Sequence, residues 1–289
     1  MNNTEKGICF ALFSALSIAV MGVFVKLTNG DLSNATLLFF RFLVSLLILL
    51  PIVKRDPKFS FKIKFPLLFS FRCIFGFVAI ACFFIAIHYI PLANAVLLEN
   101  TFPIFVPIVL FFIAGIKTGK KVMIGILFSF IGVLFILNPG KDIFQSASFI
   151  GLLGGIFAAV SFVCLRLILS KDRTQFNAVL VWYFFYCAIL SGFFMIFDFT
   201  IPNMKEFFYL LLIGIFGYFF QYMMTKALQY APVRLISPIM YFSVLFAGGF
   251  DWLIWGITPH TFTIIGAAMT ILGAIYVILN RKTLPESEC

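Results

Sequence analysis

The chain has 289 residues, 63% of them apolar and only 11% charged, with a mean hydropathy of +1.12. Apolar runs of 17 to 24 residues recur ten times, each close to the ~20 residues a helix needs to cross a ~30 Å hydrocarbon core. That leaves no room for a soluble catalytic domain, and the net charge of +10 lies in short clusters between the runs, a topology signal rather than a nucleic-acid face.

The expected spans are 7–27, 34–53, 66–88, 92–115, 121–137, 149–169, 178–197, 207–229, 233–255 and 261–279. Runs such as Val78–Ile87 and Val106–Ile113 show none of the apolar–polar alternation of barrel strands. They are read as helices, which satisfy their own backbone hydrogen bonds in lipid. The first run lacks a small-residue cleavage signature and is expected to be retained.

Charged and polar side chains at membrane depth are costly unless they face a cavity or a partner, so each is informative. Lys26, at the far end of the first span, reads as interfacial, and Arg41 in the second as orienting or interfacial. Arg72, about six residues into the third span, either snorkels to headgroups or turns inward to pair with Glu99. His88 sits at a helix end and reads as interfacial. Glu99 lies about 10 Å deep in the fourth span by the helical rise. Asn100 follows it, with Pro103 and Pro107 one and two turns on. Each proline removes a backbone donor and loosens the preceding turn, so this span is expected to open polar groups to a cavity.

Farther along, Arg166 and Lys226 lie near helix ends, where snorkelling is the default. Trp182 and Tyr183 in the seventh span, and Trp252 and Trp255 in the ninth, suit aromatic belts. Gln221 and Tyr222 of the eighth span, and Ser237, Pro238 and Tyr241 of the ninth, are candidates to face water or another helix. Asp251 stands alone. The fifth and tenth spans carry glycines seven apart, Gly125 and Gly132, then Gly266 and Gly273. They are expected at the periphery, supporting the bundle or forming a dimer contact. The six cysteines (Cys9, Cys73, Cys82, Cys164, Cys187, Cys289) show no metal-ligand spacing and read as small hydrophobes. No metal or cofactor is expected.

With the N-terminus inside, sixteen basic residues fall in cytoplasmic segments, clustered at 54–64, 117–121, 166–173, 226–234 and 281–282, besides Lys6. Three fall on the other side: Lys26, Lys141 and Lys205. The positive-inside rule therefore places both termini in the cytoplasm. The 42 phenylalanines, with many Ile, Asn and Lys, fit an AT-rich bacterial genome. The expected location is the bacterial inner membrane.

Two halves match at one offset. Ala86, Tyr89, Pro91, Gly125 and Gly132 recur 141 residues later as Ala227, Tyr230, Pro232, Gly266 and Gly273. Each half holds five spans, an odd number, so the second enters the membrane inverted. The expected architecture is an all-α membrane protein of ten transmembrane helices in two inverted five-helix repeats, residues 1–140 and 141–289. Such repeats around a midplane site are a recurring design of secondary transporters.

Phe39-Phe40-Arg41-Phe42, Tyr89-Ile90-Pro91-Leu92-Ala93-Asn94-Ala95, Asn100-Thr101-Phe102-Pro103 and Ser237-Pro238-Ile239-Met240-Tyr241, set in ten spans, resemble the drug/metabolite transporter superfamily, EamA-type branch. Members often carry a glutamate in a Gly-Glu-x-Pro pattern where the fourth and ninth spans end. This chain has Ile116 and Ile257 there. The resemblance implies transport of a small metabolite, and it leans Arg72, with Gly76 one turn on, toward the cavity.

The expected function is alternating-access transport of an amino acid or related zwitterion across the cytoplasmic membrane. Glu99, Asn100, Arg72, Gln221, Tyr222, Tyr241 and Ser237 would bind substrate, and Pro103, Pro107 and Pro238 would act as hinges. The sequence lacks a Walker A motif, so substrate gradient, exchange or proton coupling through Glu99 supplies the energy. Alternatives are uptake of S-adenosylmethionine or another nucleoside-type metabolite, and a channel-like or structural membrane subunit. Expected partners are the substrate and the lipid bilayer, not nucleic acid, with the protein monomeric or homodimeric. No catalytic set for an intramembrane enzyme is present, since His88 and His260 lie near helix ends.

Overall fold

Amides in hydrocarbon have no water to bond, so the chain closes its hydrogen bonds locally, and among the described residues the regular structure is all helical. The computed structural model describes residues 2–28, 31–55, 59–116, 119–137, 146–256 and 261–280. In chain order the helices are α1 (Asn3–Leu27), α2 (Asn34–Lys54), α3 (Pro66–Tyr89), α4 (Leu92–Glu99), α5 (Phe102–Ala114), α6 (Lys120–Leu137), α7 (Ser146–Lys171), α8 (Phe176–Phe197), α9 (Met204–Tyr230), α10 (Val233–Ile236), α11 (Phe242–Trp255) and α12 (Thr261–Leu279). Taking α4–α5 and α10–α11 as one span each, eight spans among the described residues are long and apolar enough to cross a membrane. The chain is a multi-pass membrane protein. Helices α6 and α12 add 18 and 19 residues.

Local chemistry sets the ends. Ser33 Oγ accepts from the Thr36 amide at 3.2 Å to start α2, Pro66 opens α3 where its missing N–H costs nothing, and Asn203 and Glu206 form a reciprocal capping box on α9. Helices α5 and α11 both stop at a glycine with φ of 69°, Gly115 and Gly256, a conformation glycine adopts without penalty. The amide of Ile116 then reaches the Leu110 carbonyl at 3.3 Å, so backbone closes this end without the family's glutamate. Ile257, the counterpart position, lies outside the described residues, as do His260 and Cys289.

Helix contact in lipid depends on small residues that let backbones approach. The principal pairings are α3 with α7, α1 with α9, α6 with α12 and α2 with α8 and α9. A Cβ on Gly214 of α9 would lie 2.4 Å from Val44 Cβ, and one on Gly22 would lie 2.7 Å from Leu92. Ser14 donates to the Phe220 carbonyl at 2.9 Å and Ser45 to the Gly214 carbonyl at 2.9 Å. Helices α6 and α12 run antiparallel: a Cβ on Gly125 would meet Val277, and one on Gly132 would meet Gly266 and Thr270. Ser129 and Thr270 each donate to the other's carbonyl, at 3.3 and 3.4 Å. Large apolar side chains such as Phe112 and Ile196 stay exposed, as a lipid-facing surface requires.

Between α7 and α8, Asp172 accepts from Lys64 Nζ at 2.5 Å and from the Thr174 amide and hydroxyl. The lysine, aided by Thr174, pulls the carboxyl down to about 2. The pair's contribution is complete above the ordinary carboxylate value of about 3.9 and disappears only as pH falls toward 2. Asp172→Asn therefore leaves the shape of any transport–pH profile between pH 5 and 8 unchanged, which paired uptake series would verify.

Candidate functional site

The fourth and ninth spans are both broken. Pro103 cannot donate to the Glu99 carbonyl four residues back, and α4 ends at Glu99. The chain passes Asn100 and Thr101 through shorter-range bonds, Thr101 N to Leu98 O at 3.2 Å and Ile104 N to Thr101 O at 3.0 Å, before α5 begins. Pro107 lies within α5. In the ninth span Pro238 sits in a 3-10 segment, Ser237–Tyr241, between α10 and α11. The two breaks are tied: Asn100 Nδ2 donates to the Val96 carbonyl at 2.6 Å and to Ser243 Oγ at 2.9 Å. Helix α7 presses on the first break. A Cβ on Gly155 would lie 2.1 Å from Thr101 Oγ1 and 2.7 Å from the Leu98 carbonyl.

At the first of these breaks, Arg72, Glu99 and Gln221 line one cleft with Ser161, Tyr183 and Phe162. Its volume is about 10 Å³, room for about one water. Arg72 is 2% exposed, so it turns inward and does not snorkel. Nor does it pair with Glu99. Its Nη1 donates to Ser161 Oγ, Ser161 donates back to the Arg72 carbonyl, and its guanidinium stacks 4.1 Å from the Tyr183 ring centre. Gly76 makes this possible, because a Cβ there would lie 2.5 Å from Arg72 Nη1. Glu99 Oε2 and Gln221 Nε2 are buried and lack a protein partner.

The other expected site residues divide. Asn100 is the tether between the breaks. Ser237 and Tyr241 are fully buried with unpartnered hydroxyls, outside the cleft's lining. Tyr222 stacks on Tyr218 at 5.5 Å and meets the edge of Phe176 at 5.3 Å, also away from the cleft. Sequence reasoning passed over Ser161, read Tyr183 as an aromatic-belt residue although it is buried, and underrated Arg41. Arg41 is 0% exposed, and none of its three guanidinium nitrogens has a protein partner. It lies within electrostatic range of Glu99, Arg72 and Tyr183.

Polar contacts tie the bundle at both ends. At one end Asp251, read from sequence as solitary, accepts from Lys26 Nζ at 3.1 Å and from the Ala93 amide at 3.0 Å. Lys26 also stacks 4.5 Å from a Trp255 ring centre. A lone acid in a span demands a partner, and Lys26, on the minority side of the charge bias, was the signal. At the other end Arg166 Nη1 donates to the Leu228 carbonyl at 2.7 Å, Lys226 lies 4.2 Å from the Phe176 ring centre and Phe10 stacks on Tyr230 at 5.9 Å. The larger cavity of about 800 Å³, between α3 and α8, is lined mostly by apolar residues such as Phe69, Ile74, Phe77 and Leu190. Among the described residues no three His, Cys, Asp or Glu side chains cluster as metal ligands.

The sequence pattern of the EamA-like transporter family matches residues 5–138 and again 145–279. The chain is 26% identical over 281 residues to the pseudopaline exporter CntI of Pseudomonas aeruginosa, covering 96% of this chain and 98% of that one. It is 24% identical over 286 residues to the S-adenosylmethionine uptake transporter of Rickettsia prowazekii, covering 98% and 95%. A solved crystal structure superimposes with a TM-score of 0.75 at 18% identity, over 97% of this chain and 98% of the other, and shares the fold.

Proposed function

This chain belongs to the EamA-like transporter family, and we propose that it carries a small zwitterionic metabolite, an amino acid or a relative of one, across the cytoplasmic membrane by alternating access. It is a transporter, as its relatives are, and not an enzyme. The observation that carries the finer reading is a buried acid, Glu99, and a buried base, Arg72, lining one small cleft at the break of the fourth span. Interrupted helices at the midplane are where transporters hold polar cargo.

In this reading α6 and α12 complete ten spans, arranged as inverted halves 1–140 and 141–289, with both termini cytoplasmic. Matched pairings support the symmetry: α3–α7 answers α1–α9, and α6–α12 answers itself. The prolines 103, 107 and 238 mark where each broken span flexes. Glu99 takes the substrate's ammonium group, or a proton when the site is empty. Arg72 and Gln221 complete the cleft. Asn100, Ser237, Tyr222 and Tyr241 join the substrate's path as the halves rock. The unit is a monomer or homodimer. The Rickettsia relative favours S-adenosylmethionine as a second reading, since that compound ends in an amino-acid group.

Counterflow in proteoliposomes tests this, with labelled amino acids and S-adenosylmethionine and with Glu99→Gln beside the native protein. The expected result is saturable uptake of one compound, reduced about tenfold or more in the variant, the scale of a lost charge-assisted bond, or made independent of pH. Equal uptake in the variant removes Glu99 from the site. An ohmic conductance in place of saturable uptake removes alternating access.

A further inference from the structure

The geometry points to Arg41 as the residue that binds the carboxylate of the transported compound, an inference that rests on the zwitterion reading above. Three observations carry it. First, a guanidinium presents five N–H donors, and here it is wholly buried with Nε, Nη1 and Nη2 all lacking a protein partner. A structural arginine in this same bundle looks different: Arg166 spends Nη1 on the Leu228 carbonyl at 2.7 Å.

Second, the side chain is housed rather than stranded. Its stem runs over Gly217 of α9, where a Cβ would lie 3.0 Å from Arg41 Cγ and 3.3 Å from Nε. Its guanidinium sits 4.4 Å from the Phe42 ring centre. The edge of Phe42 meets Tyr183 at 5.7 Å, and Tyr183 carries Arg72 on its ring. Aromatic faces tolerate a cation without competing for its donors, so the N–H fork stays available in a fixed place.

Third, the local charge does not close. Around Arg41 the charged groups in electrostatic range are a second cation, Arg72, and one carboxylate, Glu99, two positive charges to one negative. A further anionic group balances them, and a carboxylate matches the planar fork through two parallel bonds. The same compound's ammonium then falls to Glu99, whose Oε2 has no protein partner. Site and cargo have the same two ends with opposite signs.

The test uses full-length protein in proteoliposomes and measures inhibition of counterflow by methionine and phenylalanine against their methyl esters. For native protein the acids should inhibit about 30-fold or more better than the esters, as expected when a buried charged bond is lost. In Arg41→Met the preference should shrink to about threefold or less. Arg41→Lys, which keeps charge but not the fork, should fall between the two. Retention of the full preference in Arg41→Met overturns the assignment and leaves the zwitterion reading intact. Native protein that binds neither acid nor ester, or treats them alike, removes both readings. Stability supplies an independent arm. Without ligand, Arg41→Met should raise Tm by about 3 °C or more, because an unpaired buried charge is removed. A fall in Tm would make Arg41 a structural residue and overturn the proposal.

Discussion

Asp251→Asn opens one end of the bundle. The Asp251 carboxylate holds three helices at once: Oδ1 takes Lys26 of α1 at 3.1 Å, and Oδ2 takes the Ala93 amide of α4 at 3.0 Å, while Asp251 itself rides on α11. Helix α4 is preceded by Pro91, which supplies no capping side chain, so one of its orphan amides is met by a residue from 158 positions away. The site is nearly dry, with the Lys26 and Asp251 side chains 20% and 5% exposed. The pair therefore counts for more than a surface bridge, which is worth about 0–1 kcal/mol. Asparagine keeps the shape and loses the charge. A change of about 1–3 kcal/mol between conformations shifts populations about 5- to 150-fold. A cysteine at Ile87, beside this end, should react with a membrane-impermeant maleimide about tenfold faster or more in the Asp251→Asn background. Lys26→Met should do the same, and the double variant should add little, because both break one link. Equal labelling rates in all four proteins would mean that the Lys26–Asp251 link does not hold this end closed.

Gly155→Ala should cost about tenfold or more in uptake. The added methyl would arrive 2.1 Å from Thr101 Oγ1, 2.7 Å from the Leu98 carbonyl and 3.2 Å from the Glu99 carbonyl. The hydroxyl can rotate away, but two of these atoms are backbone at the break that carries Glu99. Relief therefore comes from moving α7 or the break, and overpacking of this kind costs about 1–3 kcal/mol. Displacing Glu99 by a fraction of an ångström disturbs the cleft more than it unfolds the bundle. Gly249→Ala is the internal control, since a Cβ at Gly249 meets nothing within 4 Å. Uptake normalised to monodisperse protein should fall in the first variant and hold in the second. Equal rates would mean that the break does not need its close neighbour.

What the sequence made legible follows from how far each signal travels along the chain. The span ends fall within a few residues of the helices, because hydropathy and caps such as Ser33 and Pro66 are local. The residues left Arg72 open between snorkelling and an inward turn, and the family resemblance leaned it inward; the glycine that gives it room, Gly76, is one turn away. Arg41 was not legible, since its room comes from Gly217 on α9, and nothing near Arg41 in sequence announces it. The break at Glu99 was foreshadowed by Pro103, whose missing donor acts four residues back, and the second by Pro238, which sits within the 3-10 segment Ser237–Tyr241. The tie from Asn100 to Ser243 was not legible, because its partner lies 143 positions away. In helices that are apolar all round, periodicity cannot say which face a polar side chain takes. That is why the cleft's lining needed coordinates.

The seam between α6 and α12 has a genealogical consequence. Ser129 bonds the Thr270 carbonyl and Thr270 bonds the Ser129 carbonyl, so the contact reads the same from either helix, as a two-fold dimer contact does. A self-complementary surface has to arise once, because a copy of itself is its partner. On the duplicated architecture proposed above, an ancestral half-length chain inserted in both directions would have closed this seam with its own twin. On that same reading, fusion into one polypeptide would have released the two inner walls from having to be identical. Glu99 faces that freedom directly, since the residue 141 positions later is Met240. A paired ancestor would have held equal groups on both walls, suited to cargo with like ends. The fused chain proposed above would be free to hold a compound whose ends differ.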